Sequence, residues 1–461
     1  MKIKKYNSCN KEINCIDCNN MDICNSWIEF VKKHSKIKPY AHFDKRVSLE
    51  MPSIREYVLN TEKIASHSFY PFIHFVKTSS RYGKDRKIKT RNLYYCSHLD
   101  RCVYQRYSFL LNYEYNIHVA QEGINEASIA YRDILNKNNI DFAKEAFDTI
   151  KEYGYCTIMI GDFTDFFDSL EHNYLKSAIC NLLGVDRLPK DYYAIFKNIT
   201  QFAFWDWKKL IEATGHNVKE RGIRKIMNDQ VVLMSKEEFR QNKLYITKNS
   251  LHMGIPQGSP ISAVLSNIYM IEFDKMINKY VTDNNGKYLR YSDDFIIILP
   301  VYNQRNVEHH EDFVTSCVDR IPKLNLQKDK TNWFIYKHGS LKDYTSNSQT
   351  KIDYLGFIFD GSRIRIRPKS ITKYYYRMRR KAKTIGRMNW ISPNNKRITA
   401  RKLYEIYSKN KNHQTFINYA MKSSNLLNLE DPEASALIKN HKRKIRQAIK
   451  AGLRNSEDTS K

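Results

Sequence analysis

Two adjacent carboxylates, Asp293 and Asp294, stand at the mouth of the apolar run Phe295-Ile296-Ile297-Ile298-Leu299. Such a run reads as a buried strand, and carboxylates at its mouth are costly unless positive charge meets them. A tight turn offering both to a divalent cation answers that cost. Mg²⁺ takes oxygen ligands, keeps some water and completes its shell with substrate phosphate. Alone, the dipeptide also fits an ordinary surface turn, where Asp is common. A second strand-like stretch, Cys156 to Ile160, also delivers an aspartate at its end, Asp162, followed by Phe163, Asp165, Phe166, Phe167 and Asp168. An aspartate after a strand often caps a helix, and Asp168 or Ser169 suits that role for a helix over Tyr174 to Leu183. A third stretch, Gly254-Ile255-Pro256-Gln257-Gly258-Ser259-Pro260, is a stiff turn that fixes one long amide, Gln257. It opens a helix over Ala263 to Met276, whose N-terminus suits a phosphate or nucleotide backbone; a purely structural turn is the other reading.

The elements that must carry these residues follow from periodicity. Lys77 to Arg91 alternates basic residues around Gly83 and reads as a hairpin that meets phosphate, or as a solvated basic loop. Helices are expected through Tyr107 to Tyr115, Asp141 to Tyr153 and Val307 to Ile321, with strands at Lys243 to Thr247 and Trp333 to Tyr336. A further strand pair carries Ile352 to Phe359 and Arg363 to Arg367, the latter with one basic and one apolar face. From Ser370 the pattern is helical. The aromatic stretch Phe202-Ala203-Phe204-Trp205-Asp206-Trp207 reads as core packing rather than a ligand site.

Net charge is +28 over 461 residues, which points to a polyanionic partner. An aromatic fraction of 13% suits base stacking beside phosphate contacts. Basic helical runs near Tyr374 to Lys383 and His441 to Arg446 are candidate nucleic-acid contacts. No apolar run reaches bilayer length and no signal-peptide core follows the basic start, so a cytoplasmic protein without a membrane partner is expected. The nine cysteines, an odd number, argue for reduced thiols. Cys9, Cys15, Cys18 and Cys24 could close a tetrahedral Zn²⁺ site, although they hold one Cys-x-x-Cys pair where structural sites usually have two; ordinary reduced thiols are the alternative.

Taken together, Asp162-x4-Phe167-Asp168-x3-His172, Pro256-Gln257-Gly258, Tyr291-Ser292-Asp293-Asp294 and Leu355-Gly356-Phe357 resemble, in order, the palm motifs of the reverse transcriptase family. The resemblance runs from about Lys77 to Lys383. It implies an α+β right-hand polymerase fold, with fingers and an antiparallel palm sheet over 46–360, a basic helical thumb and C-terminal extension over 361–461, and a Cys-rich segment at 1–45. It implies RNA-directed DNA synthesis, with an RNA template, deoxynucleotides and a cDNA product. Asp162, Asp293 and Asp294, with the Phe163 carbonyl, would hold two Mg²⁺ ions. The amides of Asp165 and Phe166 would meet the triphosphate, and Phe167 would stand against the sugar 2′ position. Gln257 would touch nucleotide and template, Lys330 would protonate pyrophosphate, and Arg86, Lys87 and Arg91 are fingers candidates for the triphosphate.

Within the family, the retron hallmarks Asn-Ala-x-x-His and Val-Thr-Gly are missing, as are the Pro-Gln-Gly-Gly of group II intron enzymes and any RNase H pattern. Ala130-Tyr131-Arg132, Leu188-Pro189 and Tyr374-Tyr375-Tyr376-Arg377-Met378 look like the bacterial unknown-group and abortive-infection-like enzymes. That likeness implies antiphage defence with a non-coding RNA template. The alternative is a retron-like or intron-derived enzyme serving mobility or RNA binding. The oligomeric state is open.

Overall fold

A computed structural model of the chain describes residues 21–80, 88–301, 307–388, 400–410 and 414–457. Its centre is a five-stranded antiparallel sheet. The strands are β3 (Tyr155–Asp162), β6 (Lys287–Tyr291), β7 (Asp294–Pro300), β8 (Asn332–Lys337) and β9 (Ser340–Asp343), in the order β6-β7-β3-β8-β9. The apolar run after the Asp pair is continuous rather than alternating because both faces of β7 are covered. Phe295, Ile297 and Leu299 face one core, together with Met159 of β3 and Trp333 of β8. Ile296 and Ile298 face a second, with Cys156, Ile158, Phe334 and Tyr336. The first core is closed by the helices His98–Gln121, His172–Leu183, Ser262–Tyr269, Ile271–Asp283 and Val307–Asp319. The second is closed by the helix Asn139–Tyr153 and the C-terminal helices.

A four-stranded sheet stands beside it: β1 (Phe72–Ser80), β2 (Ile88–Tyr95), β4 (Ala203–Asp206) and β5 (Ile246–Lys248), in the order β2-β1-β4-β5. β1 and β2 form the expected antiparallel hairpin, with Lys77 opposite Arg91. Three short strands, β10 (Ile352–Tyr354), β11 (Phe357–Phe359) and β12 (Ile364–Ile366), make a third sheet. Leu355 and Gly356 both have positive φ, so the Leu-Gly-Phe motif is a tight turn between two strands and not one strand. On β12 the apolar face is as expected, and the basic residues are engaged: Arg365 pairs with Asp360 and Arg367 with Asp353. Beyond it, the helix Pro368–Arg387 buries Met378, Ala382 and Ile385 at helical spacing against the helix Pro432–Glu457, while Ile371 and Tyr374 at its start join the second core. This is the right-hand polymerase architecture.

Some local expectations change. The helix after the second aspartate stretch is capped by Glu171, whose carboxylate accepts from the Asn173 and Tyr174 amides at 3.0 and 2.6 Å. Asp168 instead closes a short 3₁₀ turn, Phe166–Asp168. The expected helix from Ala263 to Met276 is two helices that break at Met270, and Lys243–Tyr245 is a 3₁₀ turn leading into β5. No described helix is long and apolar enough to cross a membrane.

Candidate active site

β3 and β7 run antiparallel, and their pairing sets Gly161 opposite Phe295 and Asp162 opposite Asp294. A Cβ on Gly161 would lie 2.2 Å from the Phe295 ring, so glycine is what lets the strands close directly beneath the two carboxylates. β6 and β7 are joined by only Ser292 and Asp293, with Tyr291 opposite Asp294. Ser292 takes φ +62°, as the first position of a tight hairpin loop requires. The Phe163 amide donates to the Asp293 carbonyl at 3.2 Å and ties the turn to β3.

The hairpin is anchored from below by Arg290, which is completely buried. Its guanidinium forks onto Asp274, Nε to Oδ1 and Nη2 to Oδ2, both at 2.7 Å. Nη1 donates to the Ser292 carbonyl at 3.0 Å and Nη2 to Ser128 Oγ at 3.1 Å. Tyr288 donates to the same Asp274 at 2.8 Å, and Tyr115 to Ser128 at 2.7 Å. Tyr131, itself at φ +62°, donates its hydroxyl to Ser292 Oγ at 3.1 Å, while Arg132 clasps the Asn125 and Ser128 carbonyls.

The segments carrying Phe167 and Gln257 are joined by backbone. The Ile255 amide donates to the Phe167 carbonyl at 2.9 Å and the Gly254 amide to Leu170 at 2.8 Å. His172 Nε2 lies 2.8 Å from the Gly254 carbonyl. The Tyr94 amide of β2 donates to the Gln257 carbonyl at 2.9 Å. Gly258, at φ +117°, passes so close to this strand that a Cβ would sit 2.4 Å from the Tyr94 carbonyl. The turn is therefore clasped to the fingers hairpin, and Gln257 is half-buried at that junction. The Asp165 and Phe166 amides stand at the N-terminal end of the 3₁₀ turn, where N–H groups have no intrahelical acceptor. Phe167 is half-buried, with its ring edge-on to Phe166 at 5.6 Å.

Electrostatics define the centre of the site. The Asp294 carboxyl is pushed up to about 6, first by burial and then by the Asp293 and Asp162 carboxylates, against Lys330 and Arg367. The Asp294 side chain as a whole is exposed at the start of β7. Lys330 Nζ pairs with Asp162 Oδ2. Among the described residues no three Asp, Glu, His or Cys side chains converge as a ready-made metal cage. The donors nevertheless suit a hard divalent cation, being crowded carboxylate oxygens at a cleft edge where their own charge is unfavourable.

A testable consequence concerns stability. The folded state holds the Asp294 proton more tightly than the unfolded chain, so burial and crowding of the charged form cost nothing below the ordinary carboxyl value of 3.8 and their full amount above about 6. In metal-free buffer, Asp294→Asn should raise the melting temperature above pH 6 and leave it unchanged below pH 3.8. A thermal-shift series in pH checks this; an equal gain at every pH would remove the ionised carboxyl as its cause.

The remaining sequence candidates fall as follows. Arg86 and Lys87 lie outside the described residues, as do Cys9, Cys15 and Cys18; Cys24 lies in the helix Met21–His34. Arg91 is exposed on β2. Cys96, Cys102, Cys156, Cys180 and Cys317 are buried thiols. The basic helix Pro368–Arg387 brings Lys373 near β1: its ammonium is held below the usual range, first by partial burial and then by Arg377, Lys77 and Lys369.

A palm sheet that presents carboxylates from two adjacent strands beside a glutamine turn defines a nucleotidyltransferase of the polymerase class. The family described as reverse transcriptase (RNA-dependent DNA polymerase) matches residues 83–359, and the chain belongs to it. It is an RNA-directed DNA polymerase. Solved structures similar to it include apo telomerase from Candida tropicalis truncated from its C-terminal domain, at 12% identity and TM-score 0.42, covering 74% of this chain and 67% of that one. Another is telomerase from Candida albicans in complex with a TWJ fragment of telomeric RNA, at 11% identity and TM-score 0.37, covering 94% and 69%. Comparison with curated proteins gives no match.

Proposed function

We propose that Asp162, Asp293 and Asp294, with the Phe163 carbonyl, hold two Mg²⁺ ions for DNA synthesis, and that this synthesis copies a non-coding RNA in bacterial antiphage defence. The observation that carries the catalytic part is the register pairing of Asp162 with Asp294, with Asp293 tied to the Phe163 amide. When bound, the metals favour deprotonation of the primer 3′-hydroxyl and neutralise the triphosphate and leaving pyrophosphate. The chain's own groups do the rest. The Asp165 and Phe166 amides meet the triphosphate oxygens. Gln257, fixed between palm and fingers, orients nucleotide and template. Lys330 exchanges Asp162 for pyrophosphate and supplies its proton. Residues 46–360 serve as fingers and palm, 361–461 as thumb and extension, and 1–45 as an N-terminal appendage.

Phe167 sets the sugar preference in this reading, because its ring occupies the space of a 2′-hydroxyl. Phe167→Ala should therefore improve ribonucleotide use relative to deoxynucleotide by on the order of tenfold to a hundredfold, the usual range for a steric gate. Steady-state incorporation of both substrates measures the ratio, and an unchanged ratio removes Phe167 from the role.

Support for defence comes from Ala130-Tyr131-Arg132 and Tyr374 to Met378. The first carries Tyr131, whose hydroxyl donates to Ser292 of the two-aspartate turn, and the second lies on the basic helix. Sequencing nucleic acid that co-purifies with the protein tests this part. One structured non-coding RNA with complementary DNA is the expected result, and a random sample of cellular RNA would sink it.

A further inference from the structure

We propose that Tyr131 is a positioning residue for DNA synthesis: from a left-handed backbone its hydroxyl fixes Ser292, and through Ser292 the direction in which the two-residue turn presents Asp293. This deepens the reading of Asp293 as a metal ligand and rests on it.

The segment that carries Tyr131 is built onto the edge of the palm sheet. β6 is an outer strand of the five, and Ser128 makes a parallel bridge with its Arg290. The Arg290 amide donates to the Ala127 carbonyl at 2.7 Å, and the Ile129 amide to the Arg290 carbonyl at 3.0 Å. Such pairing covers an open strand edge. Because it is parallel, it also carries the chain in the direction of β6, toward the turn.

Tyr131 then takes φ +62°, a region that a bulky residue rarely adopts and that persists where the surroundings hold it. Here both neighbours are held. Ala130 is buried, and its carbonyl accepts from Asn267 Nδ2 at 2.9 Å. Arg132 donates from Nε to Asn116 Oδ1 at 2.7 Å and from Nη1 to the Ser128 carbonyl at 2.9 Å. A strained aromatic residue locked from both sides points to a side chain whose direction matters.

That direction is inward. A tyrosine at a surface usually packs its ring and leaves its hydroxyl in water. Tyr131 does the reverse: the residue is 46% exposed, and its hydroxyl donates at 3.1 Å to Ser292, which is 3% exposed. Ser292 is thereby held twice, at Oγ by Tyr131 and at its carbonyl by Arg290 at 3.0 Å. It is one of only two loop residues and has φ +62° as well, so rotation of its backbone swings Asp293. The Tyr131 hydroxyl is held above its usual range, first by burial and, against the Ser292 bond, by Asp293 and then Asp294; it stands in the field of the pair. Small misplacements of a group at a reacting centre are costly, so loosening this hold should slow chemistry without weakening substrate binding.

The test uses full-length protein: single-turnover extension of oligo(dT) on poly(rA), primer–template affinity by anisotropy, and melting temperature in metal-free buffer. Tyr131→Phe removes only the hydroxyl. It should lower the maximal rate by about threefold to tenfold, the usual contribution of one neutral hydrogen bond, with half-saturating dTTP and primer–template affinity unchanged. Ser292→Ala should lower the rate as much, and the double variant no further, since each removes the same interaction. The double variant leaves neither hydroxyl unpaired, so its melting temperature should match wild type while its rate stays low; a merely structural bond would recover both. A wild-type rate in Tyr131→Phe overturns the proposal, as does a double variant that recovers its rate or is as slow as the product of the two single losses. A loss confined to half-saturation also overturns it, by making the hydroxyl a substrate contact. A wild-type protein that extends no primer would instead overturn the polymerase reading beneath it.

Discussion

Replacing Asp293 and Asp294 together by alanine should abolish deoxynucleotide incorporation, by on the order of 10³-fold or more. The two carboxylates supply most of the oxygen donors at the turn, and the lost stabilisation is of charge that develops only in the transition state. The loss should come without unfolding. Removing two like charges beside Asp162 relieves the crowding that pushes the Asp294 carboxyl up, so the melting temperature in metal-free buffer should hold or rise. RNA affinity should stay within a few-fold of wild type, because the basic helix Pro368–Arg387 and the fingers are untouched. Single-turnover extension and RNA titration on the same preparation check both halves; persistent synthesis would sink the catalytic assignment.

Arg290→Met should be as damaging to DNA synthesis by a different route. The substitution leaves Asp274 as an unpaired buried carboxylate, with a cost of about 3–5 kcal/mol, and leaves the Ser292 carbonyl without its donor. The expected result is a lowered unfolding midpoint together with lost extension. Arg290→Lys should also fail, since an ammonium cannot fork onto Asp274 and reach Ser292 and Ser128 at once. The double variant Arg290→Met, Asp274→Leu separates the two effects. Removing both charges should restore much of the stability, as apolar replacements of buried pairs often do, while synthesis remains low because the turn has lost its lower anchor. Full activity in the double variant would reduce Arg290 to a structural role alone.

The sequence made the two-aspartate turn between β6 and β7 legible because its signals are local. A carboxylate pair before an apolar run, a stiff Gly-Pro turn and a strand-end aspartate each announce themselves within ten or so residues. The β1–β2 hairpin, β3, β7 and β8, and the helices over Asn139–Tyr153, His172–Leu183 and Val307–Asp319 followed from local pattern for the same reason. Arg290 was not legible. An arginine ending a strand beside two aspartates reads as an exposed counter-ion, and its real partner, Asp274, sits on the buried face of another element. The split role of the aromatic stretch was hidden likewise: Trp205 is core, but Trp207 borders a cavity whose other walls come from Tyr40 and Arg224. Leu355-Gly356 was read through as strand because apolar residues flank it on both sides; the two positive φ angles appear only in the fold. The helix break at Met270 likewise has no Gly or Pro to signal it.

The strand order β6-β7-β3-β8-β9 also bears on how the protein is made. β3 occupies the middle of its sheet but is synthesised before all four companions. Its two neighbours, β7 and β8, begin at Asp294 and Asn332. At ~5–20 residues per second on the ribosome, β3 waits on the order of ten seconds for its first partner. During that time Cys156 to Ile160, an apolar segment with both edges open, is a template for pairing with the wrong chain. Yield of this enzyme should therefore depend on nascent-chain protection and translation speed more than on the stability of the finished fold. The pairing of Asp162 with Asp294, assembled from both ends of such an interval, also cannot form until the sheet has closed.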